Sequence, residues 1–372
     1  MLREADGGEK RICFFYGDFN GAGGAERSAI SIANGLVESG CKVFLLSLHG
    51  GDAPFFLADA RIERCQLFNK KISFKKNYLR VLLRLRKFSK KNRINIWIDV
   101  DPVVSVFSVP AFLGRRCAHI AWEHFNFNND LGRSERRIGR RLAARFADIV
   151  IVLTQRDREM WIEQLNPRAS IKVIYNPFPF DFPKESKFNE KAKTVLSVGR
   201  LIDLKGFDLL LHAWATVKER SEQLNDWRLT IVGDGPEAAT LRQMASEFGV
   251  SGTVRFAGRQ SNVEKYYEES GIYCLSSRTE GLPMVLIEAQ AFGIPVVAFD
   301  CPTGPSEVVT NEVDGILVPP QNPSALANAL EKVMSDGELR SRFARNSRSA
   351  AQRFDRQMIV DQWNTLCEDA LK

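Results

Sequence analysis

Two glutamates eight residues apart carry the strongest chemical signal in this chain, within Ser276-Ser277-Arg278-Thr279-Glu280-Gly281-Leu282-Pro283-Met284-Val285-Leu286-Ile287-Glu288-Ala289. The apolar run at 271–275 has the length of a buried strand, and Pro295-Val296-Val297-Ala298-Phe299 reads as the next one. Between them Pro283 suits the first turn of a helix and Gly293 a left-handed helix end. Glu280 then lies on the loop and Glu288 about one turn into the helix. Two carboxylates so placed can converge on one ligand at the carboxyl end of a parallel sheet. The same spacing also describes two solvated glutamates flanking a helix start.

The cations that such a site needs stand in Gly199-Arg200-Leu201-Ile202-Asp203-Leu204-Lys205-Gly206, between an expected strand at 194–198 and a helix at 207–219. Arg200 and Lys205 can clamp two phosphates there, or be ordinary charges on an exposed loop. Gly258-Arg259 closes a further expected strand, 254–257. In the first half, Gly21-Ala22-Gly23-Gly24-Ala25-Glu26 joins a strand at 11–16 to a helix at 25–39, where backbone N–H groups and the helix dipole favour a phosphate. It is not a dinucleotide fingerprint, because Glu26 replaces the third glycine and the second strand runs into Leu48-His49 without an acidic ribose ligand. A tight turn with no ligand fits it equally. Glu123-His124 follows a strand at 118–122, so His124 can touch a ligand in the crevice or serve as a satisfied structural residue.

The elements that must position these residues alternate, strand then helix, twice over. A βαβ opening at 11–48 and a second one from 194 onward argue for α/β domains with parallel, doubly wound sheets. A length of 372 residues exceeds one ordinary core and suits two. Asn176-Pro177-Phe178-Pro179 and the polar segment 181–193 mark the boundary and a hinge. The expected domains are 1–178 and 179–355, followed by a closing helix, 356–372, with an apolar stripe through Met358, Ile359, Trp363 and Leu366. Residues 1–10 are polar and expected to be disordered.

Hydrophobic residues at 44% and charged residues at 26% are those of a soluble globular protein. Seven cysteines at 13, 41, 65, 117, 274, 301 and 367 are scattered without C-x-x-C spacing, so neither a disulfide framework nor a zinc site is expected, and a reducing cytosol suits them. No run approaches the roughly 18 to 20 apolar residues of a membrane span. The nearest candidate, 103–113, is interrupted by Pro110, and no leader pattern precedes it.

Charge is uneven. Residues 1–180 hold 30 Lys and Arg against 18 Asp and Glu, and the remainder 22 against 27. The excess gathers at 70–93, where Leu79, Leu82, Leu83 and Phe88 sit among Lys75, Lys76, Arg80, Arg84, Arg86, Lys87, Lys90 and Lys91, and again at 133–145 with Ile138 and Leu142. Such helices suit an anionic membrane surface, or pack on the sheet through their leucines with a solvated remainder. No base-reading motif or aromatic stacking series points to nucleic acid.

Taken together and in order, these pieces resemble the retaining glycosyltransferases of family 4. The matching segments are Gly23-Gly24-Ala25-Glu26-Arg27, Glu123-His124, Gly199-Arg200 with Lys205-Gly206, Gly233-Asp234-Gly235-Pro236, Glu280 to Glu288, and Thr303-Gly304-Pro305-Ser306-Glu307-Val308-Val309, spread over nearly the whole chain. The resemblance implies the GT-B architecture, two doubly wound Rossmann-like domains facing a cleft, with an acceptor on the first domain and a nucleotide diphosphate sugar on the second. It implies Arg200 and Lys205 on the diphosphate, Glu288 on the nucleotide ribose, and Glu280 near the anomeric carbon. Gly258, Arg259, Gly281 and Leu282 would line the donor site, Gly23 and Gly24 would admit the donor phosphate, and His124 would contact the transferred sugar. The final helix would cross back to the first domain.

The chemistry agrees: departure of a nucleoside diphosphate needs its growing charge stabilised, which Arg200, Lys205 and a helix N-terminus can do in place of a metal ion. Asp99-Val100-Asp101 lies in the first domain beside Pro102, so no metal and no cofactor are expected. The implied reaction moves a hexose or N-acetylhexosamine, UDP-linked as the first candidate, to a lipid-linked saccharide in bacterial surface polysaccharide or lipopolysaccharide synthesis, cytoplasmic and peripheral on the inner membrane face. A nucleotide-sugar epimerase of the same architecture and a non-catalytic membrane-surface scaffold are the rival readings.

Overall fold

The computed structural model describes residues 9–50, 54–114, 117–180, 182–183 and 188–372. Of the segment expected to be disordered, residues 1–8 lie outside these, and of the hinge segment residues 181 and 184–187. The chain separates into two compact units, divided between Pro179 and Phe180, with Asp355–Lys372 belonging to the first.

The N-terminal unit runs β1 (Arg11–Tyr16), α1 (Gly24–Glu38), β2 (Lys42–His49), β3 (Glu63–Phe68), α2 (Phe74–Lys91), β4 (Ile96–Asp99), a 3-10 turn at Pro102–Val104, α3 (Ser105–Phe112), β5 (Ala118–Trp122), α4 (Ser134–Phe146), β6 (Ile149–Val152), α5 (Gln155–Leu165) and β7 (Ser170–Val173). Its seven strands are parallel in the order β3-β2-β1-β4-β5-β6-β7. Runs such as Ile12–Phe15 and Ile149–Val152 are buried without alternation, as a sheet covered by helices on both faces requires. The edge strand β3 is not visible in the sequence pattern, because Glu63-Arg64-Cys65-Gln66-Leu67-Phe68 buries only its last two residues.

The C-terminal unit runs β8 (Thr194–Val198), a 3-10 turn at Asp203–Lys205, α6 (Phe207–Arg220), a 3-10 turn at Glu222–Leu224, β9 (Arg228–Val232), α7 (Ala238–Glu247), β10 (Val254–Gly258), α8 (Glu264–Glu268), β11 (Ile272–Leu275), α9 (Met284–Ala291), β12 (Val296–Phe299), α10 (Pro305–Val308), β13 (Gly315–Val318), α11 (Pro323–Ser335) and α12 (Gly337–Ala351). Its six parallel strands are ordered β10-β9-β8-β11-β12-β13. A core of Leu210, Trp214, Leu229, Ile231, Val297 and Phe343 fills it. This is the two-unit Rossmann-like arrangement called GT-B, an α/β fold.

After a last 3-10 turn, the closing helix α13 (Arg356–Leu371) is capped by Asp355, whose carboxylate accepts from the N–H groups of Gln357 and Met358. It packs on α1, where a side chain at Gly35 would run into Val360, and Arg356 pairs with Glu38 at 3.0 Å. Trp363 rests on Trp122 with ring centroids 4.6 Å apart.

Two expectations need correction. In α2 the buried stripe is Val81 and Leu85, with Leu82 and Phe88 partly covered, while Leu79 and Leu83 are exposed. In the 133–145 cluster Arg136 and Arg140 are 3% and 2% exposed and turn inward, so only part of that basic segment faces outward. Their place is fixed by two buried carboxylates, Asp101 and Glu123, which no helix-periodicity argument can supply. Among the described residues no helix is long and apolar enough to cross a membrane. All seven cysteines are free thiols.

Candidate active site

Strand order explains why two distant loops meet in the C-terminal unit. β8 lies between β9 and β11, so the connections leaving β8 and β11 diverge there and leave a crevice at the carboxyl ends of the strands. The loop after β8 carries Arg200 and Lys205; the loop after β11 carries Ser276 to Leu282. Lys205 Nζ lies 2.6 Å from Glu280 Oε1, and Ser277 Oγ donates to the same oxygen at 2.6 Å. Thr303 Oγ1 donates to the Glu280 carbonyl, tying in the loop before α10. Close approach of the loops depends on Gly206, which has φ 62° and sits where any Cβ would strike the Ser276 carbonyl.

Pro283 occupies the position just before α9 and Gly293 is left-handed at φ 76°, so the helix begins and ends where the sequence suggests. The Glu288 carboxylate accepts from Tyr267 OH at 2.7 Å and the residue is 8% exposed, while the Glu280 carboxylate is held by Lys205 and Ser277. Arg200 and Arg259 are exposed, and neither guanidinium has a partner among the described residues. Gly258 is left-handed at φ 71° with open space around it. Leu282 is buried beside the half-buried Gly281, whose carbonyl backs onto Gly304 at φ 97°.

In the N-terminal unit Gly23 and Gly24 are exposed at the start of α1. The Glu26 carboxylate folds back over the loop, 2.5 Å from where a Cβ on Gly23 would stand. His124 lies just beyond β5, its ring 4.4 Å from that of Trp122. Both ring nitrogens are buried, and among the described residues neither has a hydrogen-bond partner. Burial, with the Arg136 charge, pushes its pKa down to about 3, so the imidazole is neutral at physiological pH. Each nitrogen is then one unspent donor or acceptor, suited to a hydroxyl-rich ligand.

His124 owes its place to Glu123. That carboxylate is 1% exposed and accepts from the N–H groups of His124 (3.1 Å) and Phe125 (2.9 Å), from Arg140 Nε (2.6 Å) and from Arg136 (3.3 Å). Arg136 also forks onto Asp101, at 3.0 and 2.7 Å, where the Asp101 backbone sits at φ 137°. Asp99 is consumed by Trp97, Ser105, Ser108 and His119. Both aspartates of Asp99-Val100-Asp101 are thus taken by side chains of the fold.

Comparison with known proteins identifies the arrangement. The family model described as Glycosyl transferases group 1 matches residues 180–350, and that described as Glycosyltransferase Family 4 matches 22–182. A glycosyltransferase of Haemophilus influenzae, itself uncharacterized, is 35% identical over 354 residues, covering 95% of this chain and 99% of its own length. The chain belongs to glycosyltransferase family 4.

This glycosyltransferase is also 28% identical, over 95% of its length and 97% of the relative's, to the Campylobacter jejuni enzyme named GalNAc-alpha-(1->4)-GalNAc-alpha-(1->3)-diNAcBac-PP-undecaprenol alpha-1,4-N-acetyl-D-galactosaminyltransferase. Its fold matches that of the lipopolysaccharide outer core galactosyltransferase WaaB with a TM-score of 0.78 at 22% identity, covering 96% of this chain and 99% of that one. Sequence reasoning missed Tyr267 as the partner of Glu288, and Arg136 and Arg140 as partners of Glu123. Tyr267 lies outside every motif, and the two arginines look like surface charge in the helix pattern.

Proposed function

We propose that this glycosyltransferase moves a hexose or N-acetylhexosamine, from a UDP-linked donor in the first instance, to a lipid-linked saccharide of bacterial surface polysaccharide or lipopolysaccharide synthesis, with retention at the anomeric carbon and without a metal ion. The observation that carries the reading is the Lys205–Glu280 pair at the point where the strand order reverses, with the free guanidinium of Arg200 on the same loop. A diphosphate entering there meets two cations that stabilise the negative charge growing on the leaving group. Glu280 then faces a positively charging, oxocarbenium-like anomeric centre. Glu288 takes the ribose, Gly258, Arg259, Gly281 and Leu282 line the donor, and Gly23 and Gly24 admit its phosphate. His124, neutral with two unspent nitrogens, bonds hydroxyls of the transferred sugar. The named acceptor of the Campylobacter relative, a saccharide on undecaprenyl diphosphate, supports a lipid-linked acceptor.

A peripheral place on the inner membrane face is part of the proposal, supported by α2, α3 and α4, which pack side by side. They expose Leu79, Leu83, Ile138 and Phe146 among Arg80, Lys87, Arg137 and Arg141, a mixture that suits anionic lipid. Flotation with anionic vesicles should weaken with salt, and salt-independent flotation would remove this part of the proposal.

The deciding experiment is a nucleotide-sugar panel read by thermal shift, followed by nucleotide release with and without acceptor lipid. Release that requires acceptor and persists in chelator supports the reading. Inversion of the sugar without acceptor would make the chain an epimerase, and loss of activity in chelator with recovery in magnesium would replace the cation clamp by a metal.

A further inference from the structure

Arg278 stands two residues before Glu280, yet its guanidinium points away from Glu280, into the neighbouring loop. It forks onto Asp208 in the first turn of α6, with contacts of 2.8 and 2.6 Å, and also donates to the Asp203 carbonyl at 2.7 Å. Its backbone N–H donates to the Leu204 carbonyl at 2.9 Å, and Ser276 Oγ donates to the Lys205 carbonyl at 3.1 Å. Burial alone would raise the Asp208 carboxyl, but the guanidinium hydrogen bonds and charge outweigh it and hold the carboxyl below the usual range. The fork is spent on protein, so Arg278 is not itself a phosphate ligand.

We propose that the Arg278–Asp208 ion pair is the positioning element of the donor site, bolting the loop that presents Glu280 to the loop that presents Lys205. The proposal rests on the reading of Lys205 and Glu280 as donor contacts. Neither loop belongs to a strand or a long helix at these positions, so no sheet hydrogen bond fixes their separation. A planar fork onto a carboxylate fixes both distance and direction, which a lysine ammonium does not. Once the fork is lost, one backbone hydrogen bond, the Ser276 hydroxyl and the Lys205–Glu280 pair are left to hold the loops; a diphosphate that draws Lys205 away from Glu280 loosens the last of these, so Lys205 no longer meets it in a preorganised geometry.

Binding of UDP, measured by calorimetry on the full chain with GDP and ADP as comparators, tests this in wild type, Arg278→Ala, Arg278→Lys, Asp208→Asn and the Arg278→Ala/Asp208→Asn double variant. Lys205→Ala serves as the reference for a lost donor contact. Each single change to the ion pair should weaken nucleotide binding about tenfold, with the lysine variant no better than alanine and the double no worse than either single. Because the pair is partly exposed, melting temperatures should stay within a few degrees of wild type, which separates positioning from general stability. Should Arg278→Ala fail to fold, the isosteric Asp208→Asn carries the comparison. Wild-type affinity in Arg278→Lys or Asp208→Asn beside a clear loss in Lys205→Ala overturns the inference and leaves the donor reading standing. A wild-type chain that takes up none of the three nucleotides overturns both.

Discussion

Lys205 Nζ meets Glu280 Oε1 at 2.6 Å across 75 residues of chain, with the glutamate side chain 8% exposed and the lysine 29%. In the proposed donor complex the pair neutralises a carboxylate that would otherwise repel the diphosphate, and that diphosphate competes with Glu280 for the ammonium.

Glu280→Gln should therefore separate binding from chemistry. Freed of its carboxylate partner, Lys205 is expected to hold a nucleoside diphosphate about three- to tenfold more tightly, while turnover falls by about two orders of magnitude because the anomeric charge loses its shield. Calorimetry and steady-state kinetics on one preparation give both numbers. Weaker nucleotide binding in the glutamine variant would show that the pair is a scaffold for the loop.

His124 offers a trade between stability and activity. Two buried nitrogens without partners among the described residues each cost stability, on the order of 1 kcal/mol or more. His124→Phe removes both while keeping ring packing on Trp122, so the melting temperature should rise or hold while activity drops about 10- to 100-fold. A clear fall in melting temperature would mean that the ring is already satisfied in the folded chain.

Arg140 and Glu123 should behave as a buried ion pair. Arg140→Met strips the 2.6 Å partner from a carboxylate that is 1% exposed, and the cost in urea unfolding is expected at about 3–5 kcal/mol. The N–H groups of His124 and Phe125 would then be held by a carboxylate free to shift, so activity should fall with stability. A loss below about 1 kcal/mol would remove Glu123 from the set of residues that fix His124.

Asp157 sets a pH dependence of known sign. Burial, followed by the Glu123 charge, raises its pKa to about 7 despite the hydrogen bond from the Phe127 N–H. Between the ordinary carboxylate value and about 7 the folded chain holds a proton that the unfolded chain has released, so this contribution to stability is full at low pH and declines as pH rises through that window. Asp157→Asn abolishes the decline. Relative to wild type, its melting temperature should be higher at about pH 8 than at about pH 5 by several degrees. A difference independent of pH would show that Asp157 titrates normally.

Much of this was legible in the amino-acid order, because helix caps, turn glycines and apolar runs act within a few residues of themselves. β1, α1, β8, α6 and β11 appear within a residue or two of where their patterns place them, and so does the left-handed Gly293 that ends α9. The edge strand β3 was hidden, since a strand that buries only two side chains has no pattern to read. The inward turn of Arg136 and Arg140 was hidden for another reason. A helix's own period ranks arginine as outward, and only the acids at the ends of β4 and β5 reverse that preference. Likewise, the sequence alone names Lys205 and Glu280 as charges on two loops. Only the order of strands, with β8 beside β11, makes them neighbours, because strand order is settled by packing between segments far apart in the chain.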